Sequence, residues 1–542
     1  MRPFLLIAFF ASAAEAALVD RFFEAEFRFH PTEATSAGFH EYDSKFEDYS
    51  RAGIEAEIAS LKSFLPQFKD ELILSHIRAG LLELETRRSW EKNPDLYSSG
   101  LSSSAFTIMS RRYAPAAVRL RSLIARERQM PAALQAAHAN LKNPPRIYTE
   151  IAIEQLPGTV SFFEKDVPAA FLEVKDDKLT TEFQSTNRAV IAALTAYGKF
   201  LKDEVLPVSR GDFRLGAETY SKKLLYDEMV DTPLDSLLET GRRDLRRNQE
   251  AFRTTAAKID ATRSPQQILQ EIEKDHPPAD KLLQSFRDVL GGLRDFIRQH
   301  NIVTVPSPIP PVLEETPPFM RALTFASMDT PGPYEQVAKE AFFNVTLPER
   351  NWPPERTAEH MAGFSRPVIM STAIHEAYPG HYVEFLWLKQ VRSKVRKLIQ
   401  AGSNAEGWAH YCEQMMLDEG YGNGDLKLRL GQLQDALLRD ARYIVGIEMH
   451  TGRMTFDQGI EFFVKEGYQT RANAERETKR GTSDPTYLVY TLGKLEILKL
   501  REDYKKLRGD KFTLKEFHDR FLQQGAPPIK LVREALLRDA KS

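Results

Sequence analysis

Asp70-Glu71-Leu72-Ile73-Leu74-Ser75-His76-Ile77-Arg78-Ala79-Gly80-Leu81-Leu82-Glu83-Leu84-Glu85-Thr86-Arg87-Arg88-Ser89-Trp90 sets the pattern that most of the chain repeats. Its apolar positions Leu72, Leu74, Ile77, Leu81, Leu82 and Leu84 recur at three- and four-residue spacings, which gathers them mostly on one helical face and predicts a core stripe. The same period runs through 54–68, 187–206, 233–259 and 426–449. Asp235, ahead of Leu237 and Leu238, and Asp425, ahead of Leu426, are candidate N-caps. No internal repeat of about 20–50 residues accompanies the pattern, which argues against a solenoid. The expected fold is mainly α, a large multi-helix protein.

The helical pattern breaks at 303–319, where Pro306, Pro308, Pro310, Pro311, Pro317 and Pro318 force an extended path. Residues 321–326 and 342–347 are the best strand candidates, so a small sheet is expected within the helical protein. An edge strand there would hold an extended peptide by main-chain hydrogen bonds, or the stretch is a spacer between helical lobes. The break divides the chain into an N-terminal helical region, 17–302, and a second region, 303–542.

Residues 1–16 read as a secretory signal: Arg2 supplies the positive start, Phe4 to Ala11 the apolar core, and Ala14 and Ala16 the small cleavage-site residues. The apolar stretch is far short of the roughly 20 residues a spanning helix needs, so no membrane anchor is expected after its removal. No cysteine follows it, which argues against a lipid anchor and for a secreted or periplasmic protein. Cys412 is the one cysteine of the 542 residues, so no internal disulfide forms and no multi-cysteine metal site is available. Lys and Arg number 74 against 76 Asp and Glu, a net charge of -2. That balance offers no basic field for phosphates, so nucleic acid is not an expected partner.

The segment with chemical content is His375-Glu376-Ala377-Tyr378-Pro379-Gly380-His381. Two imidazoles and a carboxylate are the parts of a metal-dependent hydrolase: nitrogen ligands for Zn2+ and a base for water. In the common arrangement the histidines are four apart, about 40° around a helix, whereas six apart puts them about 120° apart. Pro379 and Gly380 resolve this, because proline breaks the helix and glycine accepts unusual dihedrals. A distorted turn that swings His381 back is therefore expected. The third ligand is expected to be Glu406, in Glu406-Gly407-Trp408-Ala409-His410-Tyr411, one helix and a return further on. His410 and Glu413 share its face and are placed to orient a ligand or water from behind. Cys412 faces away and reads as core. Five of the twelve histidines (His360, His375, His381, His410, His450) fall between 360 and 450, where an even spread would give about two.

The string His-Glu-Ala-Tyr-Pro-Gly-His followed by Glu-Gly-Trp-Ala-His-Tyr resembles the bacterial family catalogued as domain of unknown function 885. That family groups with gluzincin metallopeptidases and is similar in layout to thermostable carboxypeptidases and thimet-type oligopeptidases. The resemblance spans most of the chain, from His30-Pro31-Thr32-Glu33-Ala34-Thr35 with Gly38, through Leu156-Pro157-Gly158-Thr159, to Tyr490-Thr491-Leu492-Gly493-Lys494. It implies a helical fold with a central cleft, zinc held by His375, His381 and Glu406, and Glu376 as catalytic base. Tyr490 and His450 match family-like positions as donors to the tetrahedral oxyanion, with Tyr487 the alternative to Tyr490. Arg442 would pair with a substrate carboxylate or form an ordinary helix salt bridge. Two positions depart from the family's pattern: Tyr382 stands where a second His is frequent, and Gly446 where an Asp is. The expected activity is hydrolysis of a peptide or small amide. A metal-retaining binding protein, or a hydrolase of a small ester or amide, are the alternatives.

Overall fold

The computed structural model describes residues 3–317, 321 and 324–540. It is mainly α, with one small three-stranded sheet. The chain forms two compact units. The first comprises Met1–Asp212 with two short segments, Pro331–Lys339 and Ser393–Leu398; the second holds the remainder. The first boundary therefore falls at 212–213, well ahead of the proline-rich break.

In the first unit, Pro3–Phe29 is one continuous helix, and Phe22, Phe23 and Phe27 are buried. No helix among the described residues is long and apolar enough to cross a membrane. The opening stretch folds as Glu71–Leu81, capped by Asp70 through the N–H groups of Leu72 and Ile73, and continues as a wider π turn, Leu82–Arg87. Leu72, Ile73, Ile77 and Leu82 are buried, so the stripe is real but narrower than its sequence pattern. Arg126, fully buried, donates to Thr35 Oγ1 at 2.6 Å and to Ser104 Oγ at 3.0 Å, which ties the short helix Pro31–Ala37 to the helix Asp95–Met109.

The adjacent Glu127 is also fully buried, and burial pushes its carboxyl up to about 8 against a Thr186 hydroxyl that donates to it. A raised acid contributes its stability in full below the ordinary value near 4.5 and loses it as pH rises toward 8. Glu127→Gln removes that loss, so the first unit should gain about 3 kcal/mol at pH 7. Thermal melts at pH 5, 7 and 8 check this: the gain should grow with pH and nearly vanish at pH 5.

In the second unit, α1 is Leu234–Ile259 and α2 is Leu282–Gln299. Pro233, not Asp235, is the cap of α1; Asp235 lies inside the first turn, because the proline cannot continue the helix backwards. The sheet follows: β1 Val312–Glu315, β2 Ala326–Asp329 and β3 Phe342–Val345. β1 lies within the proline-rich stretch. The candidate strand 321–326 reaches only its last residue, with the structure picking up again at Thr324, and part of it lies outside the described residues. β3 starts where its apolar run starts. The order is β1-β3-β2, parallel then antiparallel, with Met328 opposite Phe343. Phe325 O accepts from Thr346 N, so Phe325, Ser327 and Asp329 face β3, while Ala326 and Met328 face the edge of β2 that carries no strand.

The remaining helices are α3 Arg366–Glu376, α4 His381–Leu388, α5 Gly402–Asp418, α6 Leu426–His450, α7 Arg471–Ser483 and α8 Val489–Arg508. Asp425 caps α6 by accepting from Lys427 N at 2.8 Å. The core gathers Phe343 and Val345 from the sheet, Ile374 from α3, Val383 from α4, and Trp408 and Cys412 from α5. Cys412 is thus a buried apolar neighbour and no ligand.

Candidate metal centre

Helix α3 ends at Glu376, and the next four residues form a turn of unusual shape. Ala377 N and Tyr378 N both return to Ala373 O, Gly380 N reaches Ile374 O at 3.0 Å, and the Tyr378–Pro379 bond is cis. A Cβ on Gly380 would lie 1.8 Å from His375 O, so only glycine lets the chain pass that close under the helix end. Trp408 Nε1 donates to Pro379 O at 2.9 Å and fixes the turn from α5. His381 then opens α4 and comes back beside His375, with ring centroids 4.9 Å apart and rings perpendicular. The distorted turn expected from the sequence is present.

Glu406 Oε2 lies 3.3 Å from His375 Nε2 and 3.4 Å from His381 Nε2. One ligand atom from each of the three residues falls within 4.8 Å of the others. Tetrahedral coordination with bonds of 2.0–2.1 Å places neighbouring ligand atoms roughly 3.3–3.4 Å apart, so the spacing suits a shared ion better than charge-assisted hydrogen bonds of about 2.8 Å. Burial depresses both imidazoles, but the nearby carboxylates outweigh it and hold His375 above its ordinary value and His381 well above it. Burial raises Glu406 in turn, and the two histidines overcome that and hold it well below the carboxylate range. Glu406 is thereby held as an anion, and a cation bound here would displace the protons the carboxylates favour on the two imidazoles.

Each imidazole has a carboxylate behind it. His375 Nδ1 donates to Glu413 Oε1 at 2.6 Å, and His381 Nδ1 faces Glu384 Oε2 at 3.6 Å, with Glu384 and Glu413 both buried. Such partners orient the ring and leave the other nitrogen to the metal. Glu413 also meets Arg439 at 2.8 Å and His410 Nδ1 at 3.2 Å. His410 therefore reaches the ligand only through Glu413. Burial and the Lys494 ammonium hold its pKa down to about 3, so it is a neutral donor. Glu384 and Arg439 were not singled out in the sequence. Glu384 is legible as the residue three after His381; Arg439 becomes visible only once α6 is packed on α3.

Glu376 Oε2 accepts from Met328 N, on the open edge of β2, at 3.0 Å. Tyr490 flanks His375: its ring is 6.4 Å from that of His375 and nearly parallel to it. Its hydroxyl oxygen accepts from Arg480 at 3.3 Å, which leaves its own proton for another acceptor. Burial raises its pKa, and the Glu406 carboxylate adds to that. Tyr490 reaches this place because α5 and α8 cross at two glycines. A Cβ on Gly493 would lie 1.8 Å from Ser403 O, and one on Gly407 2.5 Å from Gly493 Cα. Gly493→Ala should destabilise the second unit by about 1–3 kcal/mol or more by forcing these helices apart. Denaturant unfolding and the fluorescence of Trp408 check it; an unchanged midpoint would show the crossing to be slack.

Three candidates go elsewhere. His450 Nε2 lies 2.7 Å from Gly481 O, and its ring packs on Phe213 and Tyr220, so it is a core residue. Tyr487 is fully buried in the slot left by Gly446 and Gly481, where added Cβ atoms would lie 2.9 and 2.3 Å from its ring and hydroxyl. Gly446 thereby makes room for Tyr487 at the position where an Asp was expected. Arg442 is bound at 2.7 and 2.9 Å by Glu477 and is buried, so it has no free face for a substrate. Tyr382 donates to Ile309 O at 2.6 Å and pins the proline-rich approach to β1.

A family profile described as "Bacterial protein of unknown function (DUF885)" matches residues 31–536. The chain belongs to this family. Two solved structures share the fold of this DUF885 chain. One is "a putative lipoprotein of unknown function from Shewanella oneidensis", at 28% identity and TM-score 0.79, covering 96% of this chain and 99% of that one. The other is "the putative lipoprotein from Colwellia psychrerythraea", at 19% identity and TM-score 0.80, covering 97% and 98%. No curated protein matches the DUF885 chain significantly.

Proposed function

We propose that this chain is a zinc-dependent hydrolase of peptide bonds, similar in chemistry to gluzincin peptidases. The observation that carries the reading is the convergence of His375, His381 and Glu406, with both imidazole Nε2 atoms 3.3–3.4 Å from Glu406 Oε2 and Glu376 at the end of the same helix as His375. Zinc held there would lower the pKa of its water to about 7 and polarise a carbonyl.

The chain's own residues supply the rest. Met328 N–H fixes Glu376 Oε2 and leaves Oε1 to take a proton from the attacking water. The same carboxyl then delivers that proton to the departing amine. Tyr490, whose oxygen is occupied by Arg480, turns its O–H toward the substrate oxyanion. On the open edge of β2 Met328 N–H is taken by Glu376, and Ala326 N–H and C=O with Met328 C=O are the main-chain groups offered to an extended peptide. The apolar N-terminal stretch, with the naming of both structural neighbours as lipoproteins, supports a place in the cell envelope or outside the cell.

Digestion of a mixed peptide pool, read by mass spectrometry, tests the reading. Cleavage should be abolished by a chelator and restored by zinc; cleavage that persists in chelator would overturn it. His381→Ala should drop bound zinc from about one per chain to near zero and lose cleavage with it. A variant that keeps full zinc would remove His381 from the ligand set.

A further inference from the structure

Three arginines, Arg439, Arg442 and Arg480, stack on the Tyr490 ring, a fourth, Arg476, lies one helical turn from Arg480, and the four fall into two classes. Arg439 and Arg442 lie 5.7 and 5.0 Å from the Tyr490 ring centre, and each is held by a buried carboxylate, Glu413 or Glu477. Arg476 and Arg480 differ. They sit one turn apart on the same face of α7 and both are exposed, while Glu477 between them turns inward to Arg442. Arg476 makes no ion pair among the described residues; it bonds the neutral Asn473 Oδ1 at 2.6 Å and stacks 5.2 Å over Phe325, the residue leading into β2. Arg480 reaches Tyr490 at 3.3 Å and otherwise holds Asp484, 3.0 Å away, in a pair about 40% exposed on both sides. An exposed pair of this kind contributes only about 0–1 kcal/mol, so an incoming carboxylate competes with Asp484 easily.

We propose that Arg476 and Arg480 bind a carboxylate of the substrate beside the bond offered to Glu376. The inference rests on the hydrolase reading and gives it a substrate class: peptides carrying an acidic group near the cleaved bond. Arg476 stands over Phe325, at the start of the open strand, and Arg480 reaches the tyrosine that flanks His375. Guanidinium forks grip carboxylates in two-point fashion, which fixes register as well as charge. The carboxylate is either the α-carboxylate of a peptide's C-terminus or an Asp or Glu side chain.

Binding to the zinc-supplied full-length Glu376→Gln protein separates these. Four peptides of one sequence serve as probes, ending in a free acid or an amide and carrying Glu or Gln next to the end. A preference of about 10-fold or more for the free acid identifies the C-terminus as the anchor, and the same preference for Glu over Gln identifies a side chain. The Arg476→Gln/Arg480→Gln double variant should reduce either preference to near unity, and Lys at both positions should restore part of it. Equal binding of all four peptides, no binding, or a preference that survives the double variant would overturn the proposal. Wild-type cleavage of acids and amides at equal rates would leave the hydrolase reading standing without it; a binding preference without any cleavage would do the reverse.

Discussion

Glu376→Gln should leave about one zinc bound per chain and lower kcat on a cleaved peptide by about 10²- to 10⁴-fold. Glutamine fills the same volume, and its carbonyl oxygen can still accept from Met328 N, so the end of α3 and the edge of β2 stay in register. The proposed ligands lie on other side chains, His375, His381 and Glu406, and lose nothing. What disappears is a group able to take a proton from water and hand it to a leaving amine. KM should change little, because the carboxylate contributes to proton transfer and not to holding the chain. Metal analysis together with steady-state kinetics decides it: wild-type kcat in this variant would remove Glu376 from the base role.

Glu413→Gln should have the second large effect, on metal affinity and stability together. The carboxylate takes His375 and Arg439 on one oxygen and His410 on the other, with no exposure to solvent. A glutamine has one acceptor oxygen and places an amide N–H₂ against a donor. Arg439, nearly buried, then loses its ion-pair partner and keeps only the more distant Asp435 carboxylate near it. Breaking a buried pair in this way costs about 3–5 kcal/mol. Loss of the partner behind His375 should weaken metal binding about 10- to 100-fold. Zinc titration against a competing chelator and denaturant unfolding report the two separately; unchanged values in both would reduce Glu413 to a spectator.

These predictions draw unequally on what the sequence exposes. Local features were readable because they depend on neighbours along the chain. The awkward six-residue gap between histidines, with Pro379 and Gly380 inside it, specifies a broken turn, and the turn is there. Glu406 and Glu413, seven apart, share a helical face, which is why one takes a place in the cluster and the other stands behind it. His450 shows the limit: a histidine in a helix near the ligands looks available, yet its direction depends on how α6 rotates against Phe213 and Tyr220. Arg442 was undecided for the same reason, and packing gave it to Glu477. β1 escaped notice because four residues among prolines carry too short a pattern.

The order of residues alone determined the helical class and the break before the chemistry, and it singled out His375, Glu376, His381 and Glu406 as candidates, since periodicity and side-chain type act over a few residues. Only the packed chain decided that Arg439 stands behind the cluster, that Met328 holds Glu376, and that Arg476 and Arg480 face outward while Glu477 between them faces in. Those pairings join residues far apart in sequence, and their geometry comes from helices meeting at glycines and from a strand laid against a helix end, which no local period encodes.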